Sequence, residues 1–191
     1  MAREKGYDCD DMFVKRWSPR ALTKTGISKK VLLKIFEAAR WAPSSCNEQL
    51  WRFLYVLSGE KGWNEILASL VEFNQSWAKT AGALIVICAS SEFSKNQKPN
   101  RHASFDSGAA WMNMALQAQK FGLYTHGMAG FDPQKVRDSF DIPTNIEVLA
   151  VIAIGGLGAK KSLPKEMQKD EMLSSRHEVK KFAFEGEFKS E

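Results

Sequence analysis

Cysteine, histidine and long apolar runs are all scarce in this chain. The three cysteines, Cys9, Cys46 and Cys88, are odd in number and widely spaced, which fits neither a disulfide framework nor a thiolate metal site. The three histidines show no metal-ligand spacing. No apolar run is long enough to cross a bilayer, and the first residues lack the pattern of a secretory signal. We therefore expect a globular protein of the cytoplasm, with no metal site and no membrane span.

Two nucleotide-binding glycine motifs are also missing. The letters GGLG near Gly155 follow an apolar run, but no helical pattern comes after them and the spacing of a dinucleotide fingerprint is incomplete. No P-loop lysine occurs. The sequence therefore gives no support for either of these nucleotide-binding loops.

Acidic residues are absent from one N-terminal stretch. Between Asp11 and Glu37 there are seven Lys and Arg and no Asp or Glu, in a chain of net charge +5. This predicts an anionic partner, which could be nucleic acid, a membrane surface or a phosphorylated small molecule. The alternative is that the lysines form a solvated helix face.

Helical and strand patterns interleave along the chain without regular alternation. Apolar residues recur at helical spacing from Val31 to Ala39, after Ser28 as an N-cap and before Pro43 as a stop. The run GALIVICA predicts a strand covered on both faces. Further patterns predict strands at 52–57 and 147–156, and helices at 63–73, 103–121 and from Asp132 to near Ile142. We predict an α+β fold, a mixed β-sheet with packed helices, in a single domain of residues 1–191.

Two polar segments carry the candidate chemistry. In KRWSPRAL, residues 15–22, two arginines bracket a serine, a pattern that could grip a phosphate. In RWAPSSCNEQLW, residues 40–51, hydroxyls and amides surround Cys46. Cys46 could be a nucleophile, but no histidine is near in sequence, and a small loop thiol is the favoured interpretation.

Six segments occur in the chain in this order: RWSPRAL, AARWAPSSCNEQLWRF, DSGAAWMNMALQA, GLYTHGMAGFDPQKVRDSFDIP, VLAVIAIGGLG and SRHEVKKFAFEGEF. Their order and spacing resemble the nitroreductase family of FMN enzymes over nearly the whole chain. The resemblance implies a nitroreductase-like flavin-binding fold and a homodimer with FMN at the subunit interface. It also implies ping-pong transfer of two electrons from NADH or NADPH to a small acceptor such as a nitroaromatic or quinone, with the chemistry at flavin N5 and no catalytic side chain.

The same resemblance implies FMN contacts for twelve residues: Arg16, Trp17, Ser18, Arg20, Pro43, Ser44, Ser45, Asn47, Met128, Ala129, Gly130 and Arg176. Arg16 and Ser18 match a pair of residues that bind the phosphate, and Arg20 matches a cation near the ribityl chain and the pyrimidine edge. The loop at 43–47 matches a segment supplied by the other subunit. Residues 128–130 match a backbone turn at the reactive ring edge, where glycines would let the backbone approach a flat ligand. Arg176 matches a late arginine that closes on the phosphate, and Leu50 departs from the family pattern.

The C-terminal tail, about 160–191, has no core of its own. Phe182, Phe184 and Phe188 alternate with charges there, so we expect it to embrace a partner subunit, with packing on its own subunit as the alternative. Two rival functions are a non-catalytic flavin carrier and a basic nucleic-acid binding module. The second lacks any recognition motif, so we expect neither a nucleic-acid nor a membrane partner.

Overall fold

The structure is a computed structural model that describes residues 3–189. Its helices are α1 (Asp11–Lys15), α2 (Lys29–Arg40), α3 (Trp63–Ser69), α4 (Glu72–Ala78), α5 (Ala103–Lys120), α6 (Pro133–Ser139) and α7 (Lys165–Gln168). Its strands are β1 (Leu22–Thr23), β2 (Trp51–Leu57), β3 (Ala83–Ser90), β4 (Leu123–Met128) and β5 (Ile146–Leu157). None of the helices within the described range combines the length and the apolar character that a bilayer crossing requires.

The five strands form one sheet around β5. Strands β3 and β4 pair with opposite sides of β5, β2 lies outside β3, and β1 pairs with β5 beyond the end of β3. These pairings are all antiparallel. The predicted α+β class is confirmed, with an antiparallel sheet where a mixed one was expected. One reason is that the helical connection after β2 returns at the same end of the sheet, where Ser58 N donates to Gly82 O at 2.9 Å.

The strand β3 is buried on both faces, as predicted. Its side chains alternate between two hydrophobic cores, one on each side of the sheet. Leu84 and Val86 pack in the core that contains Trp77, whereas Ile85 and Ile87 pack in the core beneath α2 and α5. The sheet is therefore covered by helices on both faces.

The helix α2 begins as the sequence predicts. Ser28 is its N-cap, and the Ser28 Oγ accepts a hydrogen bond from Val31 N at 3.3 Å. Leu32, Ile35 and Ala39 form its fully buried face. The cap satisfies one of the free N–H groups of the first turn, and the apolar face fixes the helix on the sheet.

The helix α5 packs between α2 and the sheet. Small and apolar side chains such as Met114 and Ala118 are fully buried, and Asn113 Nδ2 donates to Ala38 O in α2 at 3.1 Å. The helix ends at Lys120, two residues before Gly122, whose φ of +71° is readily adopted only by glycine. Its first turn contacts the loop that contains Ser45, and its last turns lie beside Arg16 and Trp17.

The structure corrects the predicted helix at 63–73. The chain forms two helices, α3 and α4, because Val71 N donates to Gly130 O at 3.0 Å and Leu70 bridges to Phe131. These long-range contacts stop α3 at Ser69 and start α4 at Glu72. The predicted start of α6 is confirmed, because Asp132 is its N-cap and the Asp132 Oδ1 accepts hydrogen bonds from the first turn. The predicted end is not, because α6 ends at Ser139 rather than near Ile142.

Candidate functional site

Three arginines lie close together and form the arginine cluster: Arg3, Arg16 and Arg176. Arg16 is half-buried, and its Nη1 donates to Ser18 Oγ at 3.1 Å. Burial lowers the pKa of Arg16, and the charges of Arg176 and Arg3 lower it further. The guanidinium still stays charged at physiological pH. Within residues 3–189 no ion pair reaches this cluster, so its charge is available to an external anion.

Ser174 joins two members of the arginine cluster. Arg176 Nη1 donates to Ser174 Oγ at 2.8 Å, and Arg3 Nε donates to Ser174 O at 2.8 Å. The structure therefore brings the late Arg176 next to the N-terminal motif that carries Arg16 and Ser18. The resemblance implied this convergence for Arg16 and Arg176, whereas Arg3 was not predicted.

A narrow crevice lies beside Arg16 and Trp17. Trp17 packs edge-on against Tyr124, with ring centroids 6.3 Å apart. Two polar atoms that line this crevice, Gln119 Oε1 and Thr125 Oγ1, are buried and have no hydrogen-bond partner in the described part of the chain. Each such atom costs about 1–3 kcal/mol when nothing satisfies it. The crevice has no room for a water molecule as it stands, so these two atoms stay unsatisfied unless the side chains around them move.

The main chain at Arg20 is fixed from the other end of the sequence. Glu171 is buried, and its carboxylate accepts hydrogen bonds from Arg20 N and Ala21 N at 2.9–3.1 Å. The Arg20 guanidinium lies over the ring of Phe73, 5.6 Å from the centroid. The main chain of Arg20 is thus fixed by Glu171, and its side chain extends from the N-terminal motif toward α4.

The turn at 128–130 begins at the last residue of β4. Met128 is buried and Ala129 is exposed. Gly130 O accepts hydrogen bonds from Val71 N and Asn74 Nδ2, both at 3.0 Å. A Cβ at Gly130 would lie only 2.9 Å from these two side chains, so glycine is needed here for packing within the chain.

Gly127 is constrained in a similar way by α5. A Cβ at Gly127 would lie 2.9 Å from the ring of Trp111. The Trp111 Nε1 is buried without a partner among the residues described. Part of the room that glycine provides at Gly127 is therefore occupied by an indole ring.

His126 lies between the arginine-bearing motif and the core. Its Nδ1 is 3.1 Å from Pro19 O, and its ring is 4.6 Å from the ring of Trp77. Burial lowers the pKa of His126, and the charge of Arg20 adds to this effect, while the hydrogen bond to Pro19 O and the charge of Glu171 oppose it. His126 therefore resists protonation in the folded state.

This burial predicts a pH dependence of stability. Below about pH 6.5, the ordinary histidine value, the unfolded chain binds a proton that folded His126 disfavours, so stability is present above that pH and is lost as the pH falls. We expect His126→Gln to lose less unfolding free energy than the wild type between pH 7.5 and 5.5. Urea unfolding at both pH values measures this, and equal losses in the two proteins would contradict it.

The loop at 43–49 is anchored on α5 and has an unusual backbone. Ser45 N donates to the Oδ2 of the buried Asp106 at 2.9 Å, and Gln49 N donates to Ser44 Oγ at 3.0 Å. Cys46, Asn47 and Gln49 all have φ values near +50°, which non-glycine residues rarely adopt. Strained, hydrogen-bonded loops of this kind are common at ligand sites.

The loop and the arginine cluster lie far apart within one chain. Ser45 is tied to Asp106 at the start of α5, whereas Arg16 lines a crevice with Gln119 near the end of α5. Because a helix rises 1.5 Å per residue, Asp106 and Gln119 are about 20 Å apart along the axis. The structure therefore brings together Arg16, Ser18 and Arg176, but it does not bring the loop to them.

Sequence reasoning missed three residues that organise this site: Arg3, Asp106 and Glu171. Asp106 had a detectable signal, because it is a lone carboxylate in an apolar helix, where a buried acid needs a partner. Arg3 and Glu171 are embedded in charged stretches and resemble ordinary surface residues. No group of residues in the described range could hold a metal ion.

Comparison with known proteins gives consistent matches. The sequence profile of the nitroreductase family matches residues 13–74 and 60–156. A solved structure described as an oxidoreductase containing FMN is 38% identical, has a TM-score of 0.94, and aligns over 99% of this chain and 97% of its own. A relative from Archaeoglobus fulgidus, provisionally named an NADH dehydrogenase/NAD(P)H nitroreductase, is 32% identical over 78% of this chain and 84% of its own length. An uncharacterised 15.4 kDa protein of Mycolicibacterium smegmatis is 37% identical over 48% of this chain and 60% of its own length. The profile match includes α2, α5 and the first arginine motif.

Proposed function

Because the chain belongs to the nitroreductase family, we propose that it is an FMN-dependent oxidoreductase. It would transfer two electrons from NADH or NADPH to a small acceptor such as a nitroaromatic or a quinone. The observation that carries this proposal is the arginine cluster, in which a half-buried guanidinium lies among like charges and no carboxylate of residues 3–189 is paired to it.

The residues present fit the phosphate end of FMN. Arg16 and Arg176 provide guanidinium donors, which pair with phosphate oxygens in bidentate geometry, and Ser18 adds a hydroxyl. Gln119 Oε1 and Thr125 Oγ1, which have no hydrogen-bond partner within the described residues, line the closed crevice beside this site. They would act as acceptors for a ligand only if the surrounding side chains moved to open the crevice. In this proposal Trp17 packs behind the grip and holds its position.

The ring end would be bound by neutral groups. If bound, FMN would supply the redox chemistry, which is the exchange of two electrons first with the nicotinamide and then with the acceptor. Met128, Ala129 and Gly130 would line one edge of the ring with backbone groups. Their position is held by the contacts of Gly130 O with α4.

We propose a homodimer because the loop at 43–47 and the arginine cluster, which would bind the two ends of one FMN, are about 20 Å apart in one chain. Pro43, Ser44, Ser45 and Asn47 would then line the ring bound to the other subunit. A groove of about 840 Å³ between α2 and α5 supports this arrangement, since Leu33, Trp41 and Phe121 line it and are exposed. The tail also leaves Phe182 and Phe188 exposed, and covering a partner subunit would bury them.

The proposal is tested by the visible spectrum and by rapid reduction. Purified protein is expected to bind FMN and to release it on denaturation, and stopped-flow mixing with NADH or NADPH should bleach the flavin absorbance. A bound flavin that neither NADH nor NADPH bleaches would favour the non-catalytic flavin carrier. A correctly folded protein that takes up no FMN on titration would contradict the proposal. A salt-dependent affinity for nucleic acid would then favour the basic nucleic-acid binding module.

Arg20 is proposed to stabilise the reduced cofactor. Reduction increases negative charge at the pyrimidine edge of the ring, and a nearby cation offsets it. We expect Arg20→Ala to lower the two-electron midpoint potential of the bound flavin by about 30 mV or more, equivalent to about 1.4 kcal/mol. Lys61→Ala, which removes an exposed cation in the turn between β2 and α3, is the control. An unchanged potential in Arg20→Ala would remove this role.

A further inference from the structure

Glu171 is the last buried residue before Arg176. It is 8% exposed, and every described residue from 172 to 183 is exposed. The Glu171 Oε1 accepts hydrogen bonds from Arg20 N at 3.0 Å and from Ala21 N at 2.9 Å. The segment that carries Arg176 therefore has its nearest buried anchor at a carboxylate bound to the N-terminal arginine motif.

Arg3 makes a second connection between the same two segments. Its Nη1 donates to Arg16 O at 2.7 Å and to Val14 O at 3.0 Å, while its Nε donates to Ser174 O at 2.8 Å. One planar guanidinium thus spans the main chain of both segments. A lysine ammonium could not hold all three carbonyl groups in this geometry.

We propose that Glu171 and Arg3 are positioning residues that clamp the C-terminal segment 171–176 against the N-terminal motif, so that Arg16 and Arg176 converge on one phosphate. The inference rests on the proposed FMN function and deepens it. Without these contacts, the like charges of Arg16 and Arg176 would repel one another and separate the two segments whenever no anion is bound.

A conservative variant distinguishes the role of Glu171 in positioning the C-terminal segment from its contribution to folding stability. Glu171 Oε1 accepts hydrogen bonds from both Arg20 N and Ala21 N, and Oε2 also accepts one from Arg20 N at 3.1 Å. Glutamine retains one oxygen that can accept both main-chain N–H groups while losing the charge. We expect Glu171→Ala to weaken FMN binding by about tenfold or more, and Glu171→Gln to remain within about threefold of the wild type. Glu166→Ala, an exposed carboxylate in α7, is the matched control and should bind as the wild type does.

Fluorescence titration of the apoprotein with FMN and with riboflavin measures the effect. Riboflavin lacks the phosphate but shares the ring near which Arg20 is proposed to lie, so the clamp predicts that Glu171→Ala weakens FMN binding clearly more than riboflavin binding. Unchanged FMN affinity in Glu171→Ala, or equal losses for FMN and riboflavin, would overturn the inference while leaving the proposed function intact. Failure of the wild type to bind FMN would instead remove the function on which the clamp depends.

Arg3 provides an independent variant should Glu171→Ala fail to fold. Arg3→Lys keeps the positive charge but loses the fork that joins Arg16 O to Ser174 O. We expect Arg3→Lys to weaken FMN binding as much as Arg3→Ala does, whereas wild-type affinity in Arg3→Lys would show that only the charge matters and would overturn the clamp. Thermal unfolding of each apoprotein separates a loss of folding from a loss of positioning.

Discussion

Arg16→Ala is expected to weaken FMN binding by about 100-fold. Arg16 is half-buried, and this burial lowers its pKa. Its guanidinium has two parallel N–H groups that match two oxygens of a phosphate. Hydrogen bonds to charged groups contribute about 1.5–3 kcal/mol each, so the loss of two costs about 3 kcal/mol or more. Equilibrium titration of the apoprotein with FMN measures this loss directly.

Two controls separate geometry from charge at Arg16. Arg16→Lys keeps a cation but not the bidentate fork, and we expect it to bind FMN with intermediate affinity. Riboflavin binding should change little in either variant, because riboflavin has no phosphate. If Arg16→Ala binds FMN as tightly as the wild type does, the arginine cluster is not the phosphate grip.

Mixed dimers are expected to rebuild a site from two defective subunits. One parent carries Arg16→Ala with Arg176→Ala, and the other carries Ser44→Ala, Ser45→Ala and Asn47→Ala. If each site combines the arginines of one subunit with the loop of the other, the mixed dimer has one intact site and should bind about one FMN. Neither parental homodimer should bind FMN under the same conditions.

The stoichiometry is measured on mixed dimers purified through two different affinity tags. Flavin absorbance per dimer then distinguishes a shared site from a site within one chain. A mixed dimer as empty as its parents would mean that the loop and the arginines serve the same subunit's cofactor. The separation of about 20 Å along α5 argues against that outcome.

Local signals in the sequence were sufficient for much of the fold. The helix α2 has a serine cap and a clear apolar period, and β3 is a short apolar run that could only be buried. By contrast, β4 reads LYTHGM, which has no strong strand pattern, and it forms because β5 offers it a long partner. The two-residue β1 and the break between α3 and α4 likewise depend on distant contacts, such as Val71 N with Gly130 O.

The candidate site was predictable mainly where the family resemblance carried it. Arg16 and Arg176 come from opposite ends of the chain, and no periodicity relates them. Their supporting contacts, made by Arg3 and Glu171, connect main-chain groups to side chains in stretches that look like ordinary charged surface. Such contacts follow from the path of the chain in three dimensions, which composition and spacing do not reveal.

The position of α5 has a mechanical consequence in the proposed dimer. Its first turn holds the loop that would serve one cofactor, and its last turns line the crevice that would serve the other. The two sites would therefore share a rigid strut in each subunit, and a ligand that tilts this strut at one end would shift the lining at the other. Two chemically identical pockets joined in this way need not fill independently.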